Sequence, residues 1–386
     1  MDLTNTEIDM ANHPVIQLTK KLIQIESITP DDKGCQTILA ELLKAAGFTI
    51  EHKKFGKVDN LFAFHGKNIG KKLMFVGHTD VVPTGDVNLW KHPPFDAVIE
   101  NNYLYGRGTA DMKSAVAAFT LAMIDYVKSN PNHKGTIALM LTSDEEGIAQ
   151  DGIKKMMPHI AQSHKFDYCL VGEPSSNEKL GDTVRIGRRG SLHVKITIHG
   201  KQGHVAYPDN AKNPVFLSAN LIKDLSDQQW DCGNEDFPPT SFQISSVKTS
   251  TNTANIIPAD LDIQANFRYS PESSQESLQY QLEVLLSHHK LNYSLSWDLS
   301  GLPFHCKSPE LKDAINQSIM HTTSQKPIFN AAGGTSDGRF IAPYGVEVIE
   351  FGVINKTIHQ IDEKVLVIDV INLQKIYENL ISLIVK

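Results

Sequence analysis

The sequence predicts an α/β protein, a mostly parallel sheet covered by helices with a smaller α+β domain inserted, and three observations carry that expectation. Three short apolar runs, Leu73 to Val76, Ile137 to Leu141 and Tyr168 to Val171, have the length and branching of buried strands. Helical patterns alternate with them, as in a parallel sheet whose crossovers are helices. From about Arg188 the texture changes: Leu192, Val194, Ile196 and Ile198 alternate with His193, Lys195, Thr197 and His199, the period-two pattern of a strand with one wet face. The expected boundaries are residues 1–187 and 299–386 for the main domain and 188–298 for the insert.

Taken in order, Val15, Leu18, Leu22 and Ile25 give Pro14 to Ile25 helical spacing, and a second helix runs from about Cys35 to Ala46 before Gly47. Strands follow at Phe48 to Glu51 and Asn60 to His65. The run Leu73 to Val76 ends at Gly77, with His78 and Asp80 just beyond. Tyr103 to Gly108 then leads to Asp111 at the start of the apolar helix SAVAAFTLAMIDYVK. The run Ile137 to Leu141 terminates in Asp144, Glu145 and Glu146, and Tyr168 to Val171 ends at Gly172 and Glu173. Within the insert, the first alternating strand is followed by a helix from Pro214 to Leu225 and strands at Thr240 to Thr249 and Leu261 to Tyr269. A helix near Gln275 to Leu286 and a strand at Leu291 to Trp297 complete it. The order β-α-β-β-α-β is that of a ferredoxin-like unit. A helix from Pro309 to Met320, a strand from Val346 to Phe351, a loop holding His359 and an apolar helix from Val370 to Val385 close the chain.

Composition narrows the function. At 386 residues, with 41% apolar and 21% charged residues, the chain reads as an ordinary globular protein of two or three domains. A net charge of -7 without any Lys/Arg run disfavours nucleic acid as a partner. The opening MDLTNTEIDMANHP has no apolar core of a secretory signal, and no uninterrupted apolar stretch suggests a membrane span. Cys35, Cys169, Cys232 and Cys306 are scattered without a CxxC spacing, as suits reduced thiols, and a cytoplasmic location is expected. The segment Ala331 to Phe340 is glycine-rich but lacks the Lys-Ser or Lys-Thr ending of a phosphate loop, so no nucleotide site is expected.

The chemistry lies at the strand ends, where ligands collect in α/β sheets. His78, Asp111, Glu146, Glu173 and His359 all fall there or in loops, and imidazole with carboxylate suits zinc. Two metals sharing one bridging carboxylate would each take one histidine, one glutamate and Asp111, about 3.5 Å apart, with room for a bridging water. Neighbouring side chains do not easily face one metal together, so Glu146 is expected as the ligand and Glu145 as the general base. Asp80, two residues past His78 on an extended segment, can lie beside that imidazole and hold it. Alone, an acidic pair in a loop is solvated charge; the five donors together point to metal.

The motifs GHTDVVPTGD, YGRGTADMK, TSDEEG, VGEPSS, GRRGS, GKQGHVAYP and GGTSDGRF resemble the M20 family of metallopeptidases and deacylases. The resemblance covers the chain apart from its N-terminal stretch. It implies two Zn2+ per subunit, with Co2+ able to substitute: His78, Asp111 and Glu173 would hold one, and Asp111, Glu146 and His359 the other. It also implies that Glu145 is the general acid/base and Asp80 the carboxylate behind His78. His204 would reach into the partner subunit's active site and stabilise the oxyanion. The insert would be the dimerisation domain of a homodimer, in keeping with the free edge that a four-stranded sheet offers. Arg188, Ser191, Tyr207, Asn255, Arg268, Gly334, Thr335 and Asn355 become candidate contacts to a small-molecule substrate. Guanidinium forks bind carboxylates bidentately, and Arg189 and Arg339 could serve as well as the arginines named. The implied activity is metal-dependent hydrolysis of an amide, by a deacylase or a dipeptidase of the family. A non-catalytic, metal-stabilised binding protein stays open as a rival of another class.

Overall fold

The computed structural model describes residues 10–67 and 69–386, so most of the N-terminal stretch read above for a leader lies outside them. The chain divides into two units. One comprises the chain up to Gly187, His305–Asn330 and Ser336–Lys386, and the other comprises Arg188–Phe304 and Ala331–Thr335.

The first unit opens with α1 (Pro14–Ile23), started by Pro14 and by the His13 ring accepting the Val15 N–H, and continues with α2 (Cys35–Ala45). Then come β1 (Thr49–Phe55), β2 (Val58–Gly66), β3 (Lys72–His78), α3 (Ser114–Ser129), β4 (Thr136–Thr142), α4 (Ile153–Ile160), β5 (Tyr168–Val171) and β6 (Thr183–Arg185). The second unit contributes β7 (Gly190–His199), α5 (Pro214–Asp227), β8 (Ser241–Thr249), β9 (Asp260–Tyr269), α6 (Gln275–His288) and β10 (Tyr293–Gly301). The first unit resumes with α7 (Pro309–Thr323), β11 (Ile328–Asn330), β12 (Glu347–Glu350) and α8 (Val367–Ile384).

In the first unit eight strands form one sheet in the order β1-β2-β4-β3-β5-β12-β6-β11. The centre, β4-β3-β5-β12, is parallel throughout. One flank is antiparallel because only two residues, Gly56 and Lys57, separate β1 from β2, too few for a crossover. Four neighbouring strands therefore end on one edge, and His78, the Ser143–Glu146 turn, Glu173 and the segment after Glu350 follow from those ends. Both faces of the centre are covered, so β3 and β4 are almost entirely apolar and buried. Phe75 of β3 stacks on Phe119 of α3 with centroids 4.0 Å apart, and Tyr377 of α8 donates its hydroxyl to the Phe351 carbonyl at 2.7 Å.

The second unit is the ferredoxin-like sheet that the alternating pattern predicts, antiparallel throughout in the order β8-β9-β7-β10. Leu192, Val194, Ile196, Ile263 and Phe267 face a core shared with Leu221, Leu225, Leu278, Leu282 and Leu286 of its two helices. Among the described residues no helix is long and apolar enough to cross a membrane.

Candidate metal centre

β3 delivers His78 at its last residue, with the ring almost wholly buried. Its Nδ1 lies 2.8 Å from the Asp80 main-chain carbonyl, which can only accept, so Nδ1 carries a proton. The other nitrogen, Nε2, faces Asp111 Oδ1 at 3.1 Å and Glu173 Oε1 at 3.8 Å. Asp111, in the non-helical turn between Gly108 and α3, presents its second oxygen to His359 Nε2 at 3.4 Å. His359 Nε2 in turn lies 3.0 Å from Glu146 Oε1. One carboxylate thus stands between two histidines, each with a glutamate at its outer side.

The electrostatics follow from burial and from this alternation. Burial opposes the His78 cation, yet Asp111, Glu173 and Asp80 outweigh it and hold the imidazole well above its usual range. Burial would raise Asp111 too, but hydrogen bonds from His359 and His78 hold it well below the carboxylate range. His359, half exposed, is pushed up to about 10 by its bonds to Asp111 and Glu146. Glu173 is raised well above its normal value by burial and by the neighbouring Asp111 and Glu145, and among the described residues its Oε1 has no hydrogen-bond partner. A buried carboxylate oxygen left without a partner is costly, and a dication between these groups removes that cost. The donor set fits such ions: His78, Asp111 and Glu146 converge within 4.8 Å of one another, and so do His78, Glu145 and Glu173.

Asp80 acts differently from the simple picture of a carboxylate behind a histidine. Its carbonyl holds His78 Nδ1, whereas its carboxylate, 3.7 Å from that nitrogen, accepts the N–H groups of Glu145 at 3.4 Å and Glu146 at 3.2 Å. Burial pushes the Asp80 carboxyl up to about 6. Asp80 therefore ties the β3 end to the turn after β4. Burial also raises Glu145 well above the usual glutamate range, offset in part by His78.

The remaining candidates occupy the second unit, except Arg339 and Asn355; the Asn355 N–H, four residues before His359, donates to the Ser176 carbonyl. Arg188 is buried and donates to the carbonyl of Ala332, two residues before Gly334, at 2.8 Å. Ser191 and Arg268 are partners in register on β7 and β9. His204 is exposed on the short strand Gly203–His204, paired with Ile256–Ile257, so that Tyr207 and Asn255 are its neighbours.

Two residues escaped the sequence reading. Asp337 is buried with Oδ2 unpartnered, and burial pushes it up to about 7. Glu363 is buried four residues past His359 among main-chain amides. A short acidic spacing after a histidine was the sole signal for the latter. Gly352 has a steric role: a Cβ there would lie 2.6 Å from the Glu173 carbonyl oxygen and 2.7 Å from that of Gly172. Gly352→Ala must displace the backbone that carries the Glu173 carboxylate. We expect a stability loss of about 1–3 kcal/mol by thermal unfolding and a fall in kcat/KM of roughly 100-fold from the displaced donor.

Histidines and carboxylates alternating at the carboxyl edge of an α/β sheet, with a further glutamate close by, define a metal-dependent hydrolase. The family model described as peptidase family M20/M25/M40 matches residues 74–383, and the chain belongs to that family. A Hydrogenovibrio crunogenus protein named succinyl-diaminopimelate desuccinylase is 50% identical over 374 residues, covering 96% of this chain and 99% of its own. The Coxiella burnetii protein of the same name is 47% identical over 371 residues, with the same coverage. Among solved structures, an M20 family metallo-carboxypeptidase from Sulfolobus solfataricus superposes with a TM-score of 0.77 at 17% identity, over 96% of this chain and 98% of its own. A Bacillus subtilis protein described as a dinuclear metal binding peptidase of the M20 family gives 0.71 at 12% identity, over 96% and 97%.

Proposed function

We propose that this chain hydrolyses the succinyl amide of N-succinyl-LL-2,6-diaminopimelate to succinate and LL-2,6-diaminopimelate, a step towards lysine and peptidoglycan precursors. The observation that carries the reading is a complete hydrolytic donor set within a chain 50% identical, almost end to end, to a protein named for this activity.

We assign two Zn2+ per subunit, replaceable by Co2+, to His78, Asp111 and Glu173 on one side and Asp111, Glu146 and His359 on the other. Bound there, the metals supply an acidified water and polarise the amide oxygen. Glu145, its main chain held by Asp80, takes the proton from the attacking water and returns it to the leaving amine. His204, presented to solvent, serves the partner subunit's site by donating to the oxyanion. Arg188 and Arg268 with Ser191 bind substrate carboxylates, and Tyr207, Asn255, Gly334, Thr335 and Asn355 complete the pocket.

The exchange of His204 requires a homodimer. Support comes from the second unit: edge strand β8 exposes Val247, α5 exposes Phe216 at 79% together with Val215 and Leu217, and α6 exposes Tyr280. A net charge of -7 and free cysteines accord with a cytoplasmic enzyme that binds neither nucleic acid nor membrane.

The deciding experiment compares kcat/KM for succinyl-diaminopimelate, acetylornithine and dipeptides on the zinc-loaded protein. We expect a preference of at least about 100-fold for the succinyl substrate. The opposite ranking would make the chain a sister deacylase or dipeptidase of the family, and no metal-dependent hydrolysis at all would leave a binding protein.

A further inference from the structure

Glu363 is completely buried, and every part of its carboxylate is engaged. Oε1 accepts the main-chain N–H groups of Ala110 at 2.8 Å and Asp111 at 3.2 Å. Oε2 accepts the Gly108 N–H at 3.0 Å and Arg107 Nη1 at 2.8 Å. The Glu363 carbonyl also accepts the Gly106 N–H, at 2.9 Å. Arg107 extends the junction: it donates to the carbonyls of Gln360 at 3.1 Å and Pro83 at 3.3 Å, and its guanidinium lies 5.2 Å from the Trp90 ring centroid.

The need for such an acceptor is physical. Asp111 has φ -123° and ψ 95°, so the turn before α3 is not helical and offers no regular ladder of carbonyls to its own amides. Buried N–H groups there require an outside acceptor, and the neighbouring Arg107 guanidinium favours an anionic one. Glu363 meets this need from the segment that carries His359.

We propose that Glu363 is a positioning residue of the metal centre: by gripping the amides of Gly108, Ala110 and Asp111 from the loop of His359, it sets the shared carboxylate against the second histidine before metal arrives. The proposal rests on reading Asp111 and His359 as metal ligands. A plain loop anchor would affect only stability; a positioning residue governs metal affinity as well, because two of its four bonds end on the residue bearing the shared carboxylate or the one before it. Glutamine in its place keeps the shape, but it turns an NH2 towards N–H donors and strips Arg107 of its counter-charge.

The test uses the full-length protein, stripped of metal and titrated with zinc against a chromophoric chelator. Zinc affinity in Glu363→Gln is expected to fall about 10- to 100-fold, with KM at saturating zinc unchanged. Zinc binding as tight as that of the unaltered protein would overturn the positioning role while leaving the metal reading intact. An unaltered protein that takes up no zinc would sink both. Residue-resolved hydrogen exchange on the unaltered protein covers the case in which the variant does not fold. Slow exchange at Ala110 and Asp111 in the metal-free form supports a turn held in advance. Protection that appears only with zinc refutes it, since the metal would then order the turn.

Discussion

Glu145→Gln abolishes turnover: kcat/KM falls by about 10³-fold or more, at the upper end of what general acid–base catalysis contributes, while zinc content stays at the level of the unaltered protein. Glutamine has the size of glutamate but can neither take a proton nor return one. The separation between chemistry and metal binding follows from the site itself. Glu145 lies near the donors of His78 and Glu173, yet the chain of close contacts runs Glu173, His78, Asp111, His359, Glu146 and leaves Glu145 out. Its burial-raised carboxyl is suited to hold a proton between the two half-steps. Steady-state kinetics with metal analysis on the same preparation checks this. Residual activity above a few per cent would remove Glu145 from its role.

Asp111→Asn gives the second large effect, of a different kind. Because both histidines face this one carboxylate, its loss weakens both halves of the site at once. We expect zinc binding to collapse at both positions and activity to vanish with it, as elemental analysis and kinetics would register. The metal-free protein supplies a further readout with a definite sign. The His359 pKa is raised from 6.5 to about 10 by Asp111 and Glu146, so its stabilising charge is fully present below pH 6.5 and lost as pH rises towards 10. The melting temperature of the metal-free protein should therefore fall across that window, and the slope should flatten in Asp111→Asn. With zinc present the trend opposes this, since the ligands must shed protons to bind.

The sequence was most legible where an apolar strand stops abruptly. His78, Glu146 and Glu173 follow such stops, and the parallel centre of the sheet explains why three unrelated stops share one edge. The alternating residues of β7 announced the second sheet just as clearly. Strands β6 and β11 left no trace, because three residues cannot display a period. The two-residue rule puts the Asp80 carboxylate beside His78, where it lies 3.7 Å from Nδ1, but the rule does not show that the carbonyl takes the ring hydrogen bond while the carboxylate takes two amides from the next turn. Glu363 and Asp337 were invisible for a deeper reason. Asp337 shows only in its burial, and Glu363 acts on groups brought to it by the finished fold, since no local pattern encodes an amide more than two hundred and fifty positions away.

The wide separation of the donors along the chain also decides which fragments could rebuild the centre. His78, Asp111, Glu146 and Glu173 precede the second unit in the chain, whereas His359 and Glu363, which accepts the Asp111 N–H, follow it. A chain cleaved within the second unit would divide four of the candidate donors from the fifth, and neither piece alone could assemble the full cluster.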